Sequence, residues 1–226
     1  MLSTGKQDGS DADQTLSALC QIYWYPLYSF ARRQGCDSTT AQDMTQGFFT
    51  HLLESRDFRS AKRERGRFRS FLLVSMRHFM LNEWEKQRAK KRGGDRVHVS
   101  LNLSDAESRY AVQPATTETA EAAFDREWAL TLLEHVQSQL ESEYADAGNA
   151  ETFECLKRYL TTERQEDRYQ DAADQLGIST SAVKSAVHRL RKRFRHILRA
   201  EIAQTVEAEA DVDDELKSLF AALTKR

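Results

Sequence analysis

The most informative chemistry in this chain lies between Tyr169 and Ile197. Ser181, Lys184, Ser185, His188, Arg189, Arg191, Lys192 and Arg195 recur there at helical spacing, apart from Val183, Ala186, Val187, Leu190, Phe194 and Ile197, which form an apolar face. Short polar side chains near a helix start suit base edges in a major groove, and the arginines and lysines beyond them suit phosphates. These eight residues are the candidate contacts to DNA. Just upstream, Gln170 to Leu176 predicts a short helix ending at Gly177, which can take the left-handed backbone of a tight turn. Ser179 or Thr180 can cap the helix that follows. Ala173 is small where two helices must approach, and Leu176, Ile178 and Val183 are expected to line the seam between them. The spacing predicts a helix-turn-helix.

Charge is segregated along the chain, although the formal net charge is only −2. From Arg56 to Arg96 fourteen basic residues stand against five acidic ones, and Lys184 to Arg199 holds seven basic residues and no acid. Acids gather elsewhere, notably from Glu207 to Glu215. Two separate polyanion-binding surfaces are therefore expected. Catalysis is not. The six histidines are scattered, Cys20, Cys36 and Cys155 lack metal-ligand spacing, and no glycine-rich phosphate loop occurs. No catalytic residue, metal or cofactor is assigned, and the protein is not expected to be an enzyme. The odd cysteine count suits a reducing cytosol. The opening stretch is polar and acidic, no apolar run is long enough to span a bilayer, and a cytoplasmic location without membrane association is expected.

Helices must position these side chains. Two prolines and nine glycines in 226 residues, with abundant Ala, Leu, Glu, Arg and Gln, predict an all-α fold. One helix face carries Leu16, Leu19, Cys20, Tyr23, Leu27 and Phe30, with a kink or break expected at Pro26. A second helix carries Met44, Phe48 and Leu52, flanked by Phe49 and Leu53. A third runs from about Phe68 to Arg92 with Phe71, Leu72, Ser75 and Phe79, flanked by Leu81 and Trp84. Apolar spacing fades between Gly93 and Ala123 and returns at Phe124, Trp128, Leu132, Val136 and Leu140. The expected organisation is a polar tail over 1–13, a helical module over 14–92, a linker over 93–123, a helix-turn-helix module over 124–200 and an acidic, amphipathic tail over 201–226.

Val183-Lys184-Ser185-Ala186-Val187-His188-Arg189-Leu190-Arg191 resembles the recognition helix of region 4 in the sigma-70 family of transcription initiation factors, and Asp43-Met44-Thr45-Gln46-Gly47-Phe48-Phe49 resembles the region 2 helix that binds the polymerase clamp. The run from Phe68 to Arg92 resembles the helix that contacts the minus-ten element. Two modules without a middle domain are similar to the compact extracytoplasmic-function group. The resemblance implies that Asp43, Gln46 and Phe49 engage the RNA polymerase core at its clamp, that region 4 reads promoter DNA beside the flap, and that Phe48 packs in the core. It further implies that Arg65, Arg67, Phe68, Arg69, Arg88, Lys90, Lys91 and Arg92 hold DNA, with Phe68 a stacking residue. Departures are visible. Thr40, Gln42 and Gly47 stand where the family has acids, His78 and Asn82 replace an Asn-x-x-x-Asp pattern, and Thr161 to Arg168 replaces the Leu-Pro lead-in to region 4.

The depleted acids suggest that phosphate could supply the missing charge, which makes Thr39, Thr40, Thr45 and Thr50 candidate acceptors for a serine/threonine kinase. An anti-sigma protein is the other partner considered. Val212, Leu216, Leu219, Phe220 and Leu223 predict a terminal helix, expected to pack simply, or else to dock on region 4 or a partner while its acids compete with DNA for the recognition helix. The alternative function is a stand-alone helix-turn-helix regulator that binds an operator. It leaves Asp43 to Phe49 unexplained.

Overall fold

A computed structural model describes residues 21–54, 67–90, 104–111, 118–160 and 169–224. Among them the fold is all-α: nine helices and no strands. These are α1 (21–33), α2 (Ser38–Glu54), α3 (Phe68–Lys90), α4 (Ser104–Ala111), α5 (Ala120–Asp146), α6 (Ala150–Leu156), α7 (Tyr169–Leu176), α8 (Thr180–Ala203) and α9 (Val212–Thr224), with 3-10 turns at Lys157–Tyr159 and Glu209–Asp211. No described helix is long and apolar enough to cross a membrane. The chain divides into two compact units, one formed by residues up to Thr131 together with Thr205 onward, the other by Leu132–Gln204.

In the first unit, α1 buries Ile22, Tyr23, Tyr25, Leu27, Tyr28, Phe30 and Ala31. The helix runs through Pro26 rather than breaking there, so burial of the surrounding aromatic face outweighs the loss of one amide donor. Asp37 starts α2, its carboxylate accepting the Thr40 N–H at 2.7 Å, and this bond holds the Asp37 carboxyl below the usual carboxylate range. α2 then buries Ala41, Met44, Thr45, Phe48, Phe49 and Leu52. On α3 the fully buried stripe is Leu72, Met76 and Met80. Phe71, Phe79 and Trp84, placed on the main apolar face or its flank by sequence spacing, are half-buried, and Leu81 is exposed. α3 meets α2 through Phe79, whose ring lies 5.9 Å from that of Phe48 and 5.8 Å from His51.

The segment expected to be a linker contributes α4. Arg109 lies over the Tyr25 ring at 4.1 Å, Arg32 lies over the Tyr110 ring at 4.4 Å, and Glu107 accepts hydrogen bonds from Tyr28 and Arg32. Burial first and then the adjoining Glu107 push the Tyr28 hydroxyl up to about 12. This explains how an octapeptide without an apolar run is held: its anchors are cation-π and ionic contacts to α1, with Arg109 also reaching Glu127 and Thr131 of α5.

One apolar stripe on α5 serves both units. Phe124 and Trp128 are core residues of the first, and Leu132, Val136 and Leu140 of the second, all buried as their four-residue spacing predicts. The second unit closes with Phe153, Leu156 and Tyr159 against Tyr169, Ala172, Ala173, Val183, Val187 and Leu190. Full burial of a side chain such as Leu190 contributes roughly 1.5 to 3 kcal/mol. The C-terminal segment, expected as a separate tail, belongs to the first unit: the Phe68 N–H donates to the Thr205 carbonyl at 3.0 Å, and α9 buries Val212, Glu215 and Leu219.

Candidate nucleic-acid interface

α7 and α8 form the helix-turn-helix. α7 stops at Gly177, whose φ of 64° lies in the left-handed region, and the Ile178 N–H returns to the Ala173 carbonyl at 3.0 Å. Ser179 then caps α8: its hydroxyl accepts the Ala182 N–H at 3.2 Å from an extended backbone. Ala172 and Ala173 are buried against α8, where larger side chains would hold the two helices apart. The seam differs from expectation at two positions. Leu176 is half-buried, and Ile178, 41% exposed, points outward at the tip of the turn, since the tight turn carries it past the helix pair. Phe194 is likewise half-buried rather than core.

At about 100° per residue, Ser181, Lys184, Ser185, His188, Lys192, Arg195 and Arg199 fall within about 100° of the α8 circumference, opposite the core stripe. All seven are exposed, and Arg189 flanks them. Arg199 was not among the candidates, yet its spacing from Lys192 and Arg195 puts it on this face. The Lys184 ammonium also lies over the Tyr169 ring of α7, 6.0 Å from its centroid.

Arg191 is a correction. Its Nε and Nη2 donate to the Tyr159 carbonyl at 2.8 and 2.6 Å, so its guanidinium braces α8 to the 3-10 turn rather than facing DNA. That carbonyl lies at the end of a short 3-10 helix, where backbone acceptors commonly take side-chain donors. Arg193 similarly turns to Glu143, with Nε donating at 2.7 Å, and this bond holds the Glu143 carboxyl below its ordinary range. Gln139 donates to Glu201 at 3.0 Å. α8 is thereby fixed at three points along its length, leaving its basic face clear of those braces.

The first unit treats its basic residues differently. Phe68 is 6% exposed and meets Tyr23 edge-on at 5.4 Å, so it is a core residue rather than a stacking platform. Arg69, 7% exposed, donates to Glu215 at 2.6 Å and to Asp125, and lies over the Trp128 ring at 4.6 Å. Burial acts against its charge, but Glu215 and Asp125 outweigh that and raise its pKa. Arg67 is half-buried, with Nε 3.0 Å from Glu215 and Nη1 donating to Ser218 at 2.8 Å. The sequence candidates Phe68 and Arg69 are therefore enclosed. Their partners Glu215, Asp125 and Trp128 lie far away in the chain, and no local spacing reports them. Arg65, Lys91 and Arg92 lie outside the described residues, as do the side chains of Arg88 and Lys90 on α3.

Of the clamp-contact candidates, Asp43 and Gln46 are half-buried on one side of α2, whereas Phe49 is 8% exposed and packs edge-on against Phe48. Gly47 lies where α2 and α3 approach. A Cβ there would come 3.2 Å from the tip of the Phe79 ring, so a side chain at that position requires the ring to shift by a few tenths of an ångström. Among the threonines, Thr39 and Thr50 are exposed and Thr40 is half-buried. Thr45 is fully buried, its hydroxyl donating to the Ala41 carbonyl at 2.7 Å, and no kinase reaches it without unfolding α2. Comparison of the chain with protein-family models, with curated proteins and with solved structures finds no match.

Proposed function

We propose that this chain is a DNA-binding transcription initiation factor of the sigma type, in which α8 reads a promoter element and the first unit engages the RNA polymerase core. The observation that carries DNA binding is the exposed row on α8, a helix braced by Arg191 and Arg193. A rigid helix with short polar side chains leading and cations following suits major-groove docking. The order of the two modules and the clamp-type sequence on α2, with Asp43 and Gln46 on one side, support the polymerase role. In this reading the first unit corresponds to region 2 and the helix-turn-helix to region 4, promoter DNA is the ligand of α8, and no catalytic step is required. Thr39 and Thr50 remain the exposed positions at which a kinase would add negative charge to the clamp surface. An anti-sigma protein would act by covering that same surface.

Enclosure of Phe68 and Arg69 favours a second reading, an operator-binding regulator that works without polymerase. Selection of bound duplexes from a random library, with the chain alone and with core polymerase, separates the two. An initiation factor enriches a two-part element only when polymerase is present. Enrichment of one identical site in both arms supports the regulator, and no enrichment in either removes both readings.

A further inference from the structure

We propose that Arg67 and Arg69 form an oxyanion site that α9 keeps filled with the Glu215 carboxylate, and that displacement of α9 opens it to a backbone phosphate of nucleic acid. Glu215 is only 1% exposed, and its two oxygens receive Arg69 Nε at 2.6 Å, Arg69 Nη2 at 3.3 Å and Arg67 Nε at 3.0 Å. Two guanidinium groups converging on one oxyanion is the arrangement by which arginines bind phosphate as readily as carboxylate. The two arginines differ in what would hold them without α9. Arg69 keeps Asp125 and the Trp128 ring, both on α5, whereas the contacts of Arg67 to Glu215 and Ser218 both go to α9. Arg67, with 38% of its side chain already accessible, is the group that α9 would release to an incoming phosphate.

The surroundings add a repulsive component. Asp213 and Asp214 are exposed in the first turn of α9, and Asp211 precedes them. The Asp214 carboxyl is held below its ordinary range chiefly by Lys217 and also by the charge of Arg67, which places it within the field of the same arginine. A phosphate approaching Arg67 therefore enters the field of Asp214 as well as meeting Glu215, and α9 excludes nucleic acid by both occupancy and charge. Single-point release is disfavoured because Val212 and Leu219 anchor the helix by burial, so opening requires α9 to move as a unit.

The inference rests on the nucleic-acid reading of the chain but concerns the first unit alone. It is tested in full-length protein carrying Lys184→Ala and Lys192→Ala, which weakens the α8 contribution. Binding of a fluorescent oligothymidylate at low salt is followed by anisotropy. Neutralising Asp213, Asp214 and Glu215 together as Asn, Asn and Gln should tighten binding about tenfold, and adding Arg67→Ala should cancel the gain. Neutralising Asp146 and Glu151 in the second unit is the control and should change affinity by less than about twofold. If Glu215→Gln prevents folding, the Asp213→Asn, Asp214→Asn pair carries the same test with a gain of about threefold. In the chain with all three acids intact, saturating oligonucleotide should reduce hydrogen-exchange protection of the α9 amides. The proposal is overturned if the folded neutralised variant binds no tighter than the control, if Arg67→Ala leaves the gain intact, or if α9 protection is unchanged at saturation. None of these outcomes depends on duplex selection by α8, so failure here and failure of the initiation-factor reading are distinguishable.

Discussion

On α8, Lys184, Arg189, Lys192 and Arg195 are exposed while Arg191 and Arg193 turn to protein acceptors; at the start of α3, Arg67 and Arg69 converge on a buried carboxylate and Phe68 lies in the core. Both segments are strongly basic and interleaved with apolar residues. The difference lies in what faces them. α8 packs through one regular stripe, and the face opposite that stripe is exposed. The start of α3 is met by α5 and α9, which bring Asp125 and Glu215 to arginines that local sequence would assign to DNA. A basic residue thus becomes a ligand contact or an internal brace according to carboxylates and carbonyls contributed from elsewhere.

The largest expected effect is at the enclosed pair. Arg69→Ala strands Glu215 without its main partner and should lower stability by about 3 to 5 kcal/mol in urea unfolding, whereas Arg69→Met combined with Glu215→Leu should recover most of that loss. Equal destabilisation by the single and double changes would show that the pair is not what matters there. Next, Arg191→Ala removes two donors from the Tyr159 carbonyl, and a cost of about 1.5 to 3 kcal/mol is expected. An unchanged unfolding midpoint together with a loss of DNA affinity would return Arg191 to the DNA face.

Lys192→Ala should behave in the opposite way. Stability should stay within about 0.5 kcal/mol, while affinity for a selected duplex falls about tenfold and the salt dependence of binding weakens by about one counterion. The smallest effect concerns Glu107, whose carboxyl is held below its ordinary range by the hydrogen bonds of Tyr28 and Arg32. A depressed carboxyl pKa supplies stability above the unfolded-state pKa and loses it as pH falls through the folded-state value. Glu107→Gln should therefore lower Tm slightly at pH 7 and flatten its decline between pH 5 and 3. An identical pH profile for the two proteins would mean that α4 is not held by that carboxylate.

Much of the fold was legible in local spacing. Phe124, Trp128, Leu132, Val136 and Leu140 predicted a continuous α5, and Gly177 with Ser179 predicted the turn and cap of the helix-turn-helix. The exposed row on α8 followed from the same periodicity. What remained hidden was non-local. Nothing in the polar stretch around Ser104 to Ala111 announces a helix, because its anchors are Tyr25, Tyr28 and Arg32 on α1. Ser75 and Phe79 lie at helical spacing, yet the fully buried stripe is Leu72, Met76 and Met80, while Phe79 is half-buried beside Gly47 of α2. Of the kink or break expected at Pro26, the break does not occur: the helix continues through it among aromatic neighbours. Arg191 looked like a phosphate contact because the Tyr159 carbonyl that captures it is thirty-two residues away.

The central claim is that the α8 face reads promoter DNA on behalf of RNA polymerase, and in vitro transcription tests it most directly. Core polymerase lacking its own initiation factor is combined with the wild-type chain, or with Lys184→Ala plus Lys192→Ala, on a library of genomic fragments, and the 5′ ends of transcripts are mapped. The expected result is initiation at defined sites with the wild-type chain and its loss with the α8 variant. Absence of defined starts with the wild-type chain, or starts indifferent to the α8 substitutions, would contradict the account.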